Sequence, residues 1–156
     1  MNKNFIKIML FIIIFCIGCE YRNVDKNKSN EDYNNDAKIF WEKVFEQDQD
    51  TVDYIINWIK DNPNIEEIYF SHQENRVGFF YDRESLFDVD ERITNFIKQN
   101  DIYLCVENGK ISFIHDFREG DLYGVYTLHY IDHDDNVDEK GFKLKDNFYY
   151  DVCFGE

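Results

Sequence analysis

The residues best suited to hold a metal ion lie together in the acidic segment 132–139, which reads DHDDNVDE. Alternating carboxylates of this kind supply the hard oxygen ligands that Ca²⁺ prefers. A calcium-binding loop that began at Asp132 would need Gly at its sixth position and Glu at its twelfth, and the chain has Val137 and Lys143 there. The pattern therefore favours a solvated acidic loop between two strands over a calcium site.

The histidines do not follow a metal-binding pattern either. His129 and His133 are four residues apart, but they fall in and just after a predicted strand, where four residues span about 13 Å. His115 alternates with apolar residues, so we expect it to be hydrogen-bonded at the edge of the core. The fourth histidine is His72. We predict neither a metal nor another cofactor.

Sequence signatures of covalent catalysis are missing. No Gly-x-Ser-x-Gly turn surrounds Ser71, Ser85 or Ser112, and there is no glycine-rich phosphate loop. Cys105 lies inside the apolar strand pattern Tyr103–Val106, where an inert or disulfide-bonded thiol is the default. We therefore predict no catalytic residues and a protein that is not an enzyme. A hydrolase is the alternative, which a pocket with converging His and acid side chains would support.

Cys105 and Cys153 are a candidate disulfide pair. In an oxidising compartment an isolated pair of cysteines can form a bond, and closing the intervening residues would contribute up to about 4 kcal/mol. The alternative is two free thiols, because disulfide geometry is strict and the alignment of the two strands is not known from the sequence.

Apolar residues recur at helical spacing in three stretches. The first predicted helix lies near 36–47, and the second ends before Pro63, which disfavours helix in the residue that precedes it. The third lies near 88–99, with Asp88 and Glu91 as its capping pair.

Period-two alternation indicates strands in the rest of the chain, and Asn108-Gly109 matches a two-residue type I′ hairpin. Short turns join consecutive strands, which makes an antiparallel sheet. The predicted fold class is α+β, an antiparallel sheet of about five to seven strands with two to three helices packed on one face. The strands are expected at 65–72, 77–81, 102–107, 110–118, 122–131, 141–145 and 148–154.

The first eighteen residues have the three parts of a secretory signal. Lys3 and Lys7 give a positive start, Ile8–Ile17 is an unbroken apolar run, and Gly18 is a small residue directly before Cys19. As a helix the apolar run would span about 15 Å, against roughly 30 Å of hydrocarbon in a bilayer. It is therefore too short for a comfortable permanent span.

The stretch Cys16-Ile17-Gly18-Cys19 resembles the lipobox of bacterial lipoproteins. It departs from the usual pattern at Cys16, where Leu is common. The resemblance implies that Cys19 receives a diacylglyceryl group, that the signal is removed just before it, and that the new amino terminus is acylated as well. Two or more acyl chains anchor a protein stably, whereas one anchors it marginally. The alternatives are an uncleaved signal anchor and an ordinary signal peptide.

Three segments are therefore predicted. Residues 1–18 form the signal peptide, residues 19–35 the lipidated cysteine and a disordered polar tether, and residues 36–156 a single acidic α+β domain. The expected location is the cell membrane or the outer membrane, with the domain outside the cytoplasm. Glu20 is not the Asp that the enteric sorting rule uses for retention at the inner membrane, which favours the outer membrane in a cell that has one.

The charge of the chain restricts its partners. Two of the 17 basic residues, Lys3 and Lys7, precede Cys19, so the remainder carries 15 basic residues against 32 acidic ones, a formal charge of −17. Such a charge repels nucleic acid and anionic lipid and favours a basic partner. We predict a protein-binding module of the cell envelope, with an immunity-type inhibitor of a basic toxin as one version. The alternative is a structural or assembly lipoprotein of the envelope.

Overall fold

The computed structural model describes residues 28–71, 74–81, 86–107, 109–119, 122–132 and 141–154. The predicted signal peptide, Cys19, the first part of the predicted tether and the acidic segment from His133 onward lie outside these ranges, as do His72 and Ser85. The elements, in chain order, are α1 (Asn30–Asp61), β1 (Ile65–Ser71), β2 (Arg76–Tyr81), β3 (Leu86–Asp88), α2 (Glu91–Asn100), β4 (Tyr103–Glu107), β5 (Lys110–Glu119), β6 (Leu122–Tyr130), β7 (Phe142–Lys145) and β8 (Phe148–Phe154).

The eight strands form one sheet in the order β3-β2-β1-β4-β5-β6-β8-β7. Every neighbouring pair is antiparallel. The predicted α+β class with an antiparallel sheet is confirmed. The predicted number of five to seven strands is wrong, because β3 is an additional strand of three residues.

Both helices pack on the same face of the sheet, which we call the helix face. Phe45 of α1 contacts Phe148 of β8 with ring centroids 4.7 Å apart, and Phe96 of α2 contacts Phe113 of β5 at 6.2 Å. Because side chains alternate along a strand, the strand residues directly next to Phe148 and Phe113 point to the opposite face of the sheet. Phe96 and Phe113 are among the largest fully buried side chains, so the core lies between this face and the helices.

Helix α1 begins earlier than the sequence predicts. Its N-cap is Ser29, which forms a capping box with Asp32, so helical structure starts at Asn30 rather than near residue 36. Residues 30–35 of the predicted tether are therefore helical. One apolar residue in this polar stretch explains the difference, because Tyr33 is 4 % exposed and its ring stacks on Phe117 of β5.

The two helices predicted before Pro63 are both present, and they meet at a kink within α1. Helical structure continues from Asn30 to Asp61, but Asp48 has the non-helical angles φ −135° and ψ 22° and kinks the helix there. The residues on either side keep the apolar spacing that predicted two helices, and both halves bury apolar side chains.

The start of α2 also differs from the prediction. Asp90 is its N-cap and accepts a hydrogen bond from the Ile93 amide at 2.9 Å, whereas Asp88 ends β3. Asp90 also accepts a hydrogen bond from the Tyr54 hydroxyl of α1, so the cap of one helix is fixed by the other. In the described part of the chain, neither helix combines the length and the apolar composition that crossing a bilayer requires.

Candidate functional site

The face of the sheet opposite the helices, which we call the open face, carries most of the residues that could act chemically. Neither helix packs against it in the described ranges. The strand register places Cys105, Ser112, His129 and Tyr149 in one row across β4, β5, β6 and β8. Thr127 and Asp151 are opposed in the next row.

Ser112, His129 and Asp151 form a continuous hydrogen-bonded chain on this face. The Ser112 hydroxyl lies 2.9 Å from His129 Nδ1, and His129 Nε2 lies 3.1 Å from Asp151 Oδ2. Ser112 is 8 % exposed, and the side chains of His129 and Asp151 are 15 % and 22 % exposed. The second carboxylate oxygen of Asp151 is buried without a hydrogen-bond partner among the described residues.

A hydroxyl, an imidazole and a carboxylate in sequence are the groups of a nucleophile, its base and the residue that orients the base. Here the surroundings disfavour that role. The Ser112 hydroxyl is largely inaccessible, and it lies in the middle of a strand paired on both sides, where backbone amides are used by the sheet ladder rather than directed at an oxyanion. The chain of hydrogen bonds therefore best serves to tie β5, β6 and β8 together.

No motif in the sequence points to this cluster, although one signal could have located part of it. Only two residues separate Glu119 of β5 from Leu122 of β6 in the sequence, and so short a connection favours the register in which Ser112 is opposite His129. The position of Asp151 depends on the pairing of β6 with β8, which the long segment before β8 does not specify.

The candidate disulfide is not formed, and the alternative of two free thiols is the one that the structure has. Cys105 and Cys153 are both free thiols, the first half-buried and the second exposed. Strands β5 and β6 lie between β4 and β8, so the two cysteines are three strand spacings apart, at least about 14 Å, and Cys153 is also four residues along β8 from the row that contains Cys105. A disulfide needs Cα atoms within about 7 Å.

A crevice opens at the edge of the open face between β1 and β4. Glu67 is opposite Cys105 and Ile68 is opposite Leu104, and the crevice begins beyond this pair, where Tyr69 and Tyr103 line it. Its volume is about 770 Å³, within the range of small-ligand pockets. The end of α2 closes one side, and the lining residues are Glu67, Tyr69, Phe70, Asn75, Ile97, Lys98, Asp101, Ile102, Tyr103 and Asp116.

The crevice combines an apolar wall with a negative rim. Ile97 and Ile102 are buried, whereas the three carboxylates Glu67, Asp101 and Asp116 are on exposed residues. Lys98 is the one basic residue among the described residues of the lining, so their formal charge is −2.

The phenol of Tyr103 is half-buried beside negative charges in this crevice, and both conditions affect its pKa. Burial and the negative charges of Asp116 and Glu67 raise the pKa of Tyr103 to about 12. Asp116 also accepts a hydrogen bond from Tyr123, which raises the pKa of that exposed tyrosine. Burial is the largest cause for Tyr103 and the hydrogen bond is the largest cause for Tyr123, and the charge of Asp116 contributes to both, because a phenolate beside a carboxylate is disfavoured.

The remaining predicted positions are scattered. His115 lies on the helix face, where Nδ1 is 2.9 Å from the Asp101 carbonyl oxygen and the ring stacks on Phe40, so its expected hydrogen bond at the core edge is confirmed. Asp132, the first residue of the acidic segment, forms an ion pair with Lys60 at 2.9 Å. Among the described residues, no group of three or more His, Cys, Asp or Glu side chains is arranged to hold a metal ion.

Comparisons of the chain with protein families, curated proteins and solved structures give no match.

Proposed function

We propose that this protein is a lipid-anchored component of the cell envelope whose acidic domain binds a basic protein partner through its open face, without catalysing a reaction. The anchor is the lipid on Cys19, as the lipobox resemblance implies. The domain lies outside the cytoplasm. An immunity-type inhibitor, which covers the active site of a basic toxin, is the version of this function that we favour.

The observation that carries the binding function is the asymmetry of the sheet. The helix face is covered by two helices, whereas the open face presents exposed Glu67 and Asp116 in the lining of the crevice and exposed Tyr123, which is hydrogen-bonded to Asp116. Tyrosines beside charged groups are common in protein interfaces, because they bring contact area and a polar end together. Together with the formal charge of −17 on the mature chain, this arrangement supports a basic partner.

The attachment of the domain to its tether supports the anchored arrangement. Lys28, directly before the helix cap, forms ion pairs with Asp36 of α1 at 2.7 Å and with Glu119 of β5 at 3.0 Å. These contacts fix the point where the chain enters the domain at the β5–β6 end of the sheet. The crevice residue Asp116 is on the same half of β5, three residues before Glu119.

Membrane fractionation tests the anchor. We expect the parent protein to be cleaved and to remain with membranes, and a Cys19→Ser variant to keep its leader or to leave the membrane fraction. A Cys105→Ser variant is the matched control, because it removes a thiol from the described domain and leaves the lipobox intact. Identical fractionation and an uncut leader in the parent and the Cys19→Ser variant would refute the anchor.

Partner capture tests the binding function. The tagged full-length protein, extracted in nonionic detergent, should retain a stoichiometric basic protein from envelope extract at low salt, and high salt should weaken the complex because the attraction is electrostatic. If no stoichiometric protein is retained at either salt concentration, the binding function is wrong.

A further inference from the structure

We infer that the crevice between β1 and β4 is the subsite that receives an arginine side chain of the basic partner. This inference rests on the proposed function, since it names the chemistry by which the partner is recognised. The occupant is a guanidinium group. The shape, lining and charge of the crevice support this assignment.

The size of the crevice suits a side chain together with its flanking backbone. A volume of about 770 Å³ is more than one side chain fills, and the crevice is partly open to solvent. An extended peptide segment could therefore place one long side chain against the buried wall of Ile97 and Ile102. The aliphatic stem of an arginine is suited to such a wall, because long cationic side chains bury their methylene groups and keep the charged end in a polar setting.

The lining of the crevice favours a planar cation. Tyr69 on β1 and Tyr103 on β4 provide two aromatic rings, and Glu67 on β1 and Asp116 on β5 provide carboxylates. A guanidinium group can stack on an aromatic ring and also donate paired hydrogen bonds to carboxylates, whereas an ammonium is a point charge that is hydrated more strongly. This combination of groups favours arginine over lysine.

The charge of the crevice supports a cation. The formal charge of the described lining is −2, and its basic residue Lys98 lies over the Phe70 ring at 5.3 Å. Burial first, and then the charges of Asp116 and Glu67, raise the pKa of Tyr103 and so disfavour a negative charge at this position. A bound guanidinium would reduce that effect, so binding should lower the pKa of Tyr103.

The test is an NMR titration of the full-length protein in nonionic detergent, with ¹³C-labelled tyrosine. The probes are acetyl-Gly-Arg-Gly-amide and the same peptide with citrulline in place of arginine, which keeps the shape and removes the charge. We expect saturable shifts of the Tyr69 and Tyr103 signals with the arginine peptide, and binding at least tenfold weaker with the citrulline peptide. The same peptide with lysine in place of arginine should bind more weakly than the arginine peptide and more tightly than the citrulline peptide.

Charge-matched variants locate the binding. A double variant with Glu67→Gln and Asp116→Asn should weaken arginine-peptide binding at least tenfold. A control with Glu46→Gln and Asp53→Asn, two exposed acids of α1, makes the same change in net charge and should bind like the parent. All four positions are exposed, so both variants should melt within a few degrees of the parent.

Equal binding of the arginine and citrulline peptides, or equal weakening by the two double variants, would overturn the inference. Failure of this inference can be told apart from failure of the proposed function. If the Glu67→Gln/Asp116→Asn variant still captures the basic partner with the affinity of the parent, the crevice is not the subsite although the protein is a binding module. If the peptide binds as expected and no partner is captured, the subsite stands and the proposed function fails.

Discussion

Ser112 and His129 are directly opposed on β5 and β6, and the Ser112 hydroxyl lies 2.9 Å from His129 Nδ1. The other ring nitrogen reaches Asp151 on β8 at 3.1 Å, so one imidazole connects three adjacent strands. Strands β5, β6 and β8 carry the part of the open face that lies next to β4, and Tyr103 of β4 lines the crevice. The hydrogen-bonded chain therefore links these strands through their side chains as well as through the backbone.

We expect His129→Ala to lower the free energy of unfolding by about 1–3 kcal/mol, because it leaves a buried hydroxyl and a half-buried carboxylate without their partner. Chemical denaturation monitored by circular dichroism measures the change. Lys143→Ala, an exposed position in the same row, is the control and should change stability by less than about 0.5 kcal/mol. Equal effects of the two substitutions would show that the hydrogen-bonded chain contributes nothing.

The sequence predicts local structure in this protein better than it predicts the site. Strand β8 begins and ends where alternation indicates, because each strand has a buried side and an exposed side that the pattern records. Strand β3 gives no such signal, because three residues are too few to show a period. The crevice escapes prediction for a different reason. It depends on β1 pairing with β4, and β2, β3 and α2 separate these strands in the chain, so no local signal specifies the pairing.

The beginning of the domain illustrates the same limit. Residues 30–35 read NEDYNN and contain one apolar side chain, so composition alone predicts a tether. The structure buries that side chain against β5 and β8, where Tyr33 contacts both Phe117 and Phe154. A contact between residues more than eighty positions apart cannot be read from the local pattern.

Tyr33→Ala should therefore destabilise the protein by about 3–5 kcal/mol, as expected for loss of a buried aromatic ring. Asn35→Ala, two residues later at an exposed position of the same helix, should change stability by less than about 0.5 kcal/mol. Thermal unfolding of the two variants measures the difference. If both behaved alike, residues 30–35 would belong to the tether after all.

Gly124 is predicted to be intolerant of a side chain. A Cβ at this position would lie 2.5 Å from Phe117 Cζ and 3.0 Å from the Cys153 carbonyl oxygen. Phe117 cannot move away easily, because its ring stacks on Tyr33 and on Tyr126. We expect Gly124→Ala to cost about 1–3 kcal/mol through overpacking, measured by denaturant titration.

Gly109→Ala provides the comparison for that substitution. A Cβ at Gly109 would have open space around it, but the residue has φ +79°, which an L side chain rarely adopts. Its cost is expected to be about 1 kcal/mol and to arise from the backbone. Replacing Gly109 with Asn, which tolerates positive φ better, should restore part of that loss, whereas Gly124→Asn should be worse than Gly124→Ala. If the Gly124→Asn variant were more stable than the Gly124→Ala variant, the steric explanation would be wrong.

Tyr103 should titrate later than an ordinary tyrosine, with the pKa of its phenol at about 12, because burial and the charges of Asp116 and Glu67 disfavour its phenolate. The ¹³C NMR signal of Tyr103 followed against pH measures this value, and Tyr103→Phe assigns it. Glu67→Gln should lower the midpoint by removing one negative charge. An unchanged midpoint in that variant would mean that Glu67 does not influence the crevice.

The same shift has a consequence for stability. Because the folded-state pKa of Tyr103 lies above that of the unfolded chain, the folded state holds its proton more tightly. This contribution is fully present below about pH 10, the ordinary value for tyrosine, and is lost as the pH rises toward 12. Tyr103→Phe should therefore reduce the alkaline loss of stability. Curves of equal slope between pH 10 and 12 in the parent and the variant would refute this assignment.

The two free cysteines should differ in reactivity and should not pair. Cys153 is exposed and Cys105 is half-buried, so iodoacetamide should label Cys153 several-fold faster. Burial raises the pKa of both thiols, reinforced by Glu67 for Cys105 and by Asp151 for Cys153, and labelling of each should therefore accelerate as the solution becomes more alkaline. Peptide mass analysis after labelling resolves the two sites.

The sheet order keeps the thiols apart on either side of β5 and β6, so oxidation of the folded protein should yield no peptide that joins Cys105 to Cys153. Recovery of such a peptide in high yield would contradict that order.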